Sequence, residues 1–273
     1  GAYTTSGNMI FPLSSKAYLR LNGSATNAGN YETGSGIKPL TEYSTTDYTA
    51  ILGTLLSDGS KLEFNYTNNR QDKVGYPGLT MDIVYSYTDM YTLKYHRVTP
   101  FGMFSTMNVE LFNTDIDHLM NNVVLRGNTG NGVMSWPTAS DTYGGRIIGT
   151  IGSDIRAGID FEHNTKDAEQ NMVMSGMNVF MTYLWPGVET EKLGLFFEKD
   201  LNNISYGLRY DQVELDPTRA ADDPGSGMMQ KTANEVYTAD YDGTIVATKR
   251  DFDNISGFLR INKDYNHGES YIN

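Results

Sequence analysis

Polar and apolar residues alternate along several stretches of the chain. In residues 61–67, Leu62, Phe64 and Tyr66 lie between Lys61, Glu63, Asn65 and Thr67. The same alternation recurs in residues 17–24, 155–162, 204–211 and 255–262. Because successive residues of a strand face opposite sides, the pattern predicts β-strands with one apolar and one polar face.

The connectors between these segments are short and long in turn through ten consecutive junctions, beginning after Lys16. The short connectors are residues 57–60, 99–102, 152–154, 201–203 and 265–268, and the long ones are roughly residues 30–43, 72–80, 121–141, 167–188 and 213–251. Transmembrane β-barrels have short periplasmic turns and long extracellular loops. The rhythm therefore predicts an all-β antiparallel transmembrane β-barrel with about eleven long strands in this chain.

A soluble β-sandwich is the alternative architecture, because its outer faces also carry charges when they meet solvent. The long strands favour the barrel, since they exceed the usual length of about 5 or 6 residues. The two architectures differ in where the apolar stripe lies. It is an outward belt in a barrel and is buried between two sheets in a sandwich.

Composition narrows the function classes. The chain has 273 residues, and it contains no apolar run of about 18 residues of the kind that helical membrane spans need. The net charge of −12 argues against nucleic-acid binding, and the absence of cysteine excludes disulfides and thiolate metal sites. No motif of a catalytic site occurs, so we expect no enzyme activity and no cofactor.

The two ends of the chain suggest a piece of a longer protein. Residues 1–5 have neither the basic nor the apolar region of a secretory signal, and residues 269–273 have the pattern of a strand that is beginning. Bacterial outer-membrane barrels have even strand numbers and no free edges. We therefore expect a barrel fragment rather than a closed barrel.

Several short motifs resemble, in order and spacing, the barrel of TonB-dependent outer-membrane receptors, and among these most closely the copper-receptor branch. The motifs are Asn30–Gly36, Gly75–Asp82, Asp117–Arg126, Val133–Pro137, Tyr143–Arg146, Gly194–Phe196 and Ser256–Arg260. The resemblance covers nearly the whole chain.

The resemblance implies a nutrient uptake receptor in the outer membrane of a Gram-negative bacterium. Residues 1–273 would be part of the wall of a barrel with an expected 22 strands, without the plug domain. The implied partners are outer-membrane lipid, the TonB energy-coupling system acting through the plug, and copper or a metal chelate as the transported ligand. A siderophore or cobalamin receptor is the alternative, and a secreted soluble β-domain that binds glycan or protein is the alternative of another class.

The resemblance also implies that Met81 and Met120 are copper ligands. Thioethers are soft ligands that favour Cu(I). In its predicted strand, Met120 shares parity with His118 and the polar residues Asn108 and Glu110, which predicts that both lie on the lumen face unless a bulge intervenes. His118 is a weaker candidate ligand. The parity rule does not orient Met81, and methionines also serve as flexible fillers in protein cores.

Further methionines fall in the predicted loop 167–188. Met172, Met174 and Met177 are candidates for capturing copper ahead of the lumen site. The alternative is a loop that packs its own apolar residues over the mouth of the barrel.

Overall fold

The computed structural model of the chain describes residues 1–128, 132–173, 180–201, 203–218, 249–265 and 268–272. The strands are β1 (Ala2–Pro12), β2 (Ala17–Ala28), β3 (Tyr43–Leu55), β4 (Lys61–Val74), β5 (Asp82–Arg97), β6 (Phe104–Asn121), β7 (Val133–Ile151), β8 (Ile155–Val173), β9 (Phe180–Leu201), β10 (Ile204–Pro217), β11 (Arg250–Tyr265) and β12 (Gly268–Ile272). No helix in these ranges is long and apolar enough to cross a membrane.

All twelve strands form one sheet in chain order, and each strand pairs antiparallel with the next. The predicted all-β antiparallel fold of a barrel fragment is confirmed, and the sheet is not closed in the part of the chain that the structure describes. The predicted strand count missed β1, which precedes Lys16. The run Thr4–Asn8 within β1 is polar throughout and its side chains are exposed, so it carries no alternation that could reveal a strand.

The connections at one end of the sheet have two to six residues, and those at the other end have seven or more, except the six-residue connection between β8 and β9. Two of the predicted loops were too long, because β7 already begins at Val133, β8 continues to Val173 and β9 begins at Phe180. The predicted ranges 121–141 and 167–188 are therefore partly strand. Beyond the apolar belt both faces of a strand can meet water, so the alternation that marks strands disappears there.

The apolar side chains of mid-strand residues share one face of the sheet, which we call the apolar face. Strand pairing joins one row of residues across neighbouring strands, and all of them except the glycine have apolar side chains. The row is Leu52, Phe64, Leu93, Leu111, Gly145, Phe161 and Leu193. Phe64 is 43% and Phe161 46% exposed. In the described part of the chain no second sheet covers this row, as a β-sandwich would require.

The opposite, polar face carries charges of alternating sign in the next row of paired residues. This row consists of Glu63, Lys94, Glu110, Arg146 and Asp160. Opposite charges on neighbouring strands stabilise pairing, whereas like charges oppose it. The polar face is therefore a stable wall that can line a wet lumen.

The side chain of Arg209 reaches across β9 to the last charged residue of this row, Asp160. From β10 its guanidinium donates two hydrogen bonds of 2.9 Å to the carboxylate of Asp160 on β8, and it also binds Asp211. Between the two partners lies Gly194 of β9, where an added Cβ would collide with Arg209 and Asp160. The glycine leaves the space through which the ion pair passes.

Candidate metal site at the long-loop end of β5 and β6

Met120 and His118 lie on the polar face. The pairing of β6 with β7 runs without a shift from Thr106 to Asn121, so the even-numbered residues of this stretch share the face of Glu110. Met120 pairs with Trp136, and His118 pairs with Thr138. For these two candidates the sequence parity predicted the correct face.

A β-bulge at Val84 orients the neighbouring end of β5. Tyr85 pairs with Leu119, but Ile83 pairs with Met120, so Val84 is the extra residue. Below the bulge, odd-numbered residues such as Leu93 lie on the apolar face, whereas Ile83 shares the face of Met120. Bulges re-aim side chains in this way, often beside functional sites.

The change of face at Val84 bears on the orientation of Met81. This methionine lies two residues before Ile83, and alternate residues of an extended chain point to the same side. Met81 itself lies in the connection directly before β5, outside the strand pairing that fixes the face of Ile83. Its side chain is only 4% exposed.

A hollow of about 420 Å³ lies beside Met120. Its lining consists of His118, Met120, Trp136, Thr138, Ala168, Leu184 and Trp185. Both tryptophans of the chain therefore contribute to it. The buried His118 Nε2 and Trp136 Nε1 have no hydrogen-bond partner among the described residues. An imidazole nitrogen and a thioether sulfur at this position are donors that a soft metal ion accepts.

Asp82, directly after Met81, is held by an ionic clamp from the next long connection. Its side chain is completely buried, and its carboxylate accepts hydrogen bonds from Arg126 Nε at 2.6 Å and Nη2 at 2.9 Å. Arg126 Nη2 also donates to the carbonyl of Tyr76 at 2.6 Å, and the Tyr76 amide donates to Asp82 Oδ1 at 2.8 Å. The hydrogen bonds to the Asp82 carboxylate raise the pKa of Arg126, so its guanidinium stays positively charged beside that carboxylate.

Asparagine side chains shape the start of the connection that carries Arg126. Asn121 Oδ1 accepts the amides of Val123 and Val124, which turns the chain as soon as β6 ends. Asn122 Nδ2 donates to the carbonyl of Gly132 at 2.7 Å. Met120 thus stands beside a closed turn with defined hydrogen bonds.

Residues 167–173 and 180–188 of the predicted capture loop lie in strands β8 and β9. Met172 lies in β8, and its sulfur accepts a hydrogen bond from Gln170 Nε2 at 2.9 Å. The prediction of a loop position for Met172 was therefore wrong, because β8 extends beyond the range where apolar residues alternate. Met174 and Met177 lie outside the described residues.

Sequence reasoning overlooked Trp136, Trp185, Asp82 and Arg126 as parts of this region. Three of them lay inside or beside the quoted motifs, but no sequence signal shows which partners meet in space. No group of three or more His, Cys, Asp or Glu side chains is placed to hold a metal in the ranges that the structure describes.

Comparison with known proteins gives matches among solved structures. No protein-family model matches the sequence, and no curated protein matches it significantly. The structure of "Copper transporter OprC" is similar over 99% of this chain and 43% of its own length, with a TM-score of 0.74 and 16% identity. A double mutant of the Serratia marcescens hemophore receptor HasR, in complex with its hemophore HasA and heme, is similar over 96% of this chain and 41% of its own length, with a TM-score of 0.52 and 17% identity.

The chain thus spans less than half the length of either protein. At these identities the similarity concerns the fold. The predicted resemblance is confirmed at the level of the fold, which this chain shares with part of both solved structures.

Proposed function

We propose that the chain forms part of the barrel wall of a TonB-dependent receptor that imports copper across the outer membrane of a Gram-negative bacterium. The apolar face would contact lipid, and the polar face would line the lumen. The long connections would face outwards, where a nutrient first arrives. TonB would supply energy through a plug domain.

The observation that carries the copper proposal is the position of Met120 on the polar face, with Met81 two residues before its strand partner Ile83. The bulge at Val84 gives Ile83 the face of Met120, which supports a position for Met81 on the same side. Two thioethers form a soft donor set that favours Cu(I) over harder ions, and the unpartnered Nε2 of His118 is a suitable third donor. The fold similarity to a copper transporter supports the same substrate.

Within such a site, each residue has a simple role. The two sulfurs would bind the ion and strip its water, and His118 would add a neutral nitrogen donor. The apolar lining from Trp136 and Trp185 would keep competing water away.

The test is a Cu(I) competition titration on the whole gene product in outer-membrane vesicles, comparing the unmodified protein with a Met81→Leu/Met120→Leu variant. Loss of outer-shell partners alone costs about 10–100-fold in metal affinity, so loss of both ligands should cost more than about a hundredfold. Met90→Leu is the matched control, because Met90 lies on the polar face of β5 below the bulge. Unchanged Cu(I) affinity in the double variant would reject the copper assignment.

The hollow favours a second candidate substrate class. A space of about 420 Å³ lined by two indoles is larger than a bare ion needs and lies within the usual range of organic ligand sites. A metal chelate such as a siderophore or cobalamin would use it. Binding of a ferric siderophore or cobalamin that Trp136→Ala abolishes, without any Cu(I) binding, would favour this class.

A further inference from the structure

A buried carboxylate next to a candidate ligand calls for a physical reason. The side chain of Asp82 is fully buried, and burying an unpaired charge is costly. Arg126 compensates it in a bidentate arrangement, the strongest geometry for such a pair. The two residues are 44 positions apart in the chain, so the pair joins the start of β5 to the connection between β6 and β7.

Asp82, Arg126 and the backbone of Tyr76 are all hydrogen-bonded to one another. Asp82 Oδ1 accepts the Tyr76 amide, which closes the connection 75–81 on itself, and Arg126 binds the carbonyl of the same Tyr76. The backbone on both sides of Met81 is thereby tied to the connection that follows Met120. The Asp82–Asn121 strand pairing adds a second link at the same level.

The ion pairs at the two ends of β5 differ in how deeply their carboxylates are buried. At the other end of the same strand, Arg97 Nη1 lies 2.9 Å from Asp58 Oδ2. There the Asp58 side chain is 36% exposed, whereas that of Asp82 is 0% exposed. An exposed pair contributes little, but a buried one fixes its surroundings.

We propose that Arg126 is a positioning residue for the copper site: by holding Asp82 and Tyr76 it keeps Met81 at the distance and orientation that binding together with Met120 requires. This inference rests on the proposed copper function. Arg126 does not touch the ion, and its effect passes through the backbone of Asp82. Ligand sets held by such outer partners bind metals more tightly, because the free site needs no reordering.

The experiment measures Cu(I) affinity and Cu(I) dissociation rate for Arg126 variants of the whole gene product in vesicles. Arg126→Gln should raise the dissociation constant about tenfold and speed release, and Arg126→Lys, which keeps the charge but not the fork, should restore part of the loss. Should Arg126→Gln fail to fold, Asp82→Asn/Arg126→Gln leaves no charge unpaired and takes its place. Folding is followed by the heat-dependent shift of the folded barrel in electrophoresis.

Arg97→Gln is the matched control, because it removes the ion pair at the other end of β5 and should leave Cu(I) binding unchanged. If the Arg126 variants bind Cu(I) like the unmodified protein while Met81→Leu/Met120→Leu does not bind, the positioning role is overturned and the copper function stands. If Met81→Leu/Met120→Leu also binds normally, the copper function falls and the positioning role falls with it.

Discussion

The middle of β4–β8 and the long-loop end of β5 and β6 follow different rules. In the middle, strict alternation separates a row of exposed apolar side chains from a row of charges with alternating sign. At the loop end, a bulge at Val84 and a buried ion pair at Asp82 interrupt that order. The neighbouring end of β4 is also irregular, because Lys73 has a positive φ of 55°. The regular alternation forms the two faces of the sheet, whereas the candidate site lies where that alternation is interrupted.

The largest effect should follow from a charge on the apolar face in the middle of the wall. Phe64→Arg should lower the free energy of unfolding in lipid vesicles by about 2–4 kcal/mol, because an arginine would face the hydrocarbon core. The neighbouring Asn65→Arg places the same charge on the polar face and should cost much less. Equal losses measured by denaturant titration would contradict the assignment of the two faces.

A smaller loss should follow when the space beneath the Arg209–Asp160 pair is filled. Gly194→Ala should lower the free energy of unfolding by about 1–3 kcal/mol, because the methyl group displaces a charged hydrogen-bond pair. Gly7→Ala in β1 is the control, since no atom lies within 4 Å of an added Cβ there. If both alanines behave alike, the passage of the pair over Gly194 does not matter to stability.

The smallest expected effect concerns the bulge and is read in binding rather than in unfolding. Deleting Val84 would restore the regular register of β5 and turn Met81 to the opposite face. The Cu(I) dissociation constant should rise at least about tenfold, or about 1.4 kcal/mol. Val84→Ala keeps the bulge and should bind normally. Tight binding after the deletion would show that the bulge does not orient Met81.

The same contrast explains which features could be predicted from sequence. Alternation in residues 61–67 and 155–162 marked strands and faces, and parity placed His118 and Met120 correctly, because no bulge interrupts β6 there. Met81 could not be oriented, since nothing in its sequence marks the bulge at Val84. The partnership of Asp82 with Arg126 also escaped prediction, because it arises only when the start of β5 meets the connection between β6 and β7 in the folded chain. β1 was missed because its polar run has no period.

The candidate ligands can be counted directly by X-ray absorption at the copper edge of the Cu(I)-loaded whole gene product. The proposed site predicts sulfur scatterers from Met81 and Met120 and a nitrogen scatterer from His118. The sulfur contribution should fall in Met81→Leu/Met120→Leu, and the nitrogen contribution should fall in His118→Ala. A spectrum that is identical with and without these side chains would contradict a copper site at the long-loop end of β5 and β6.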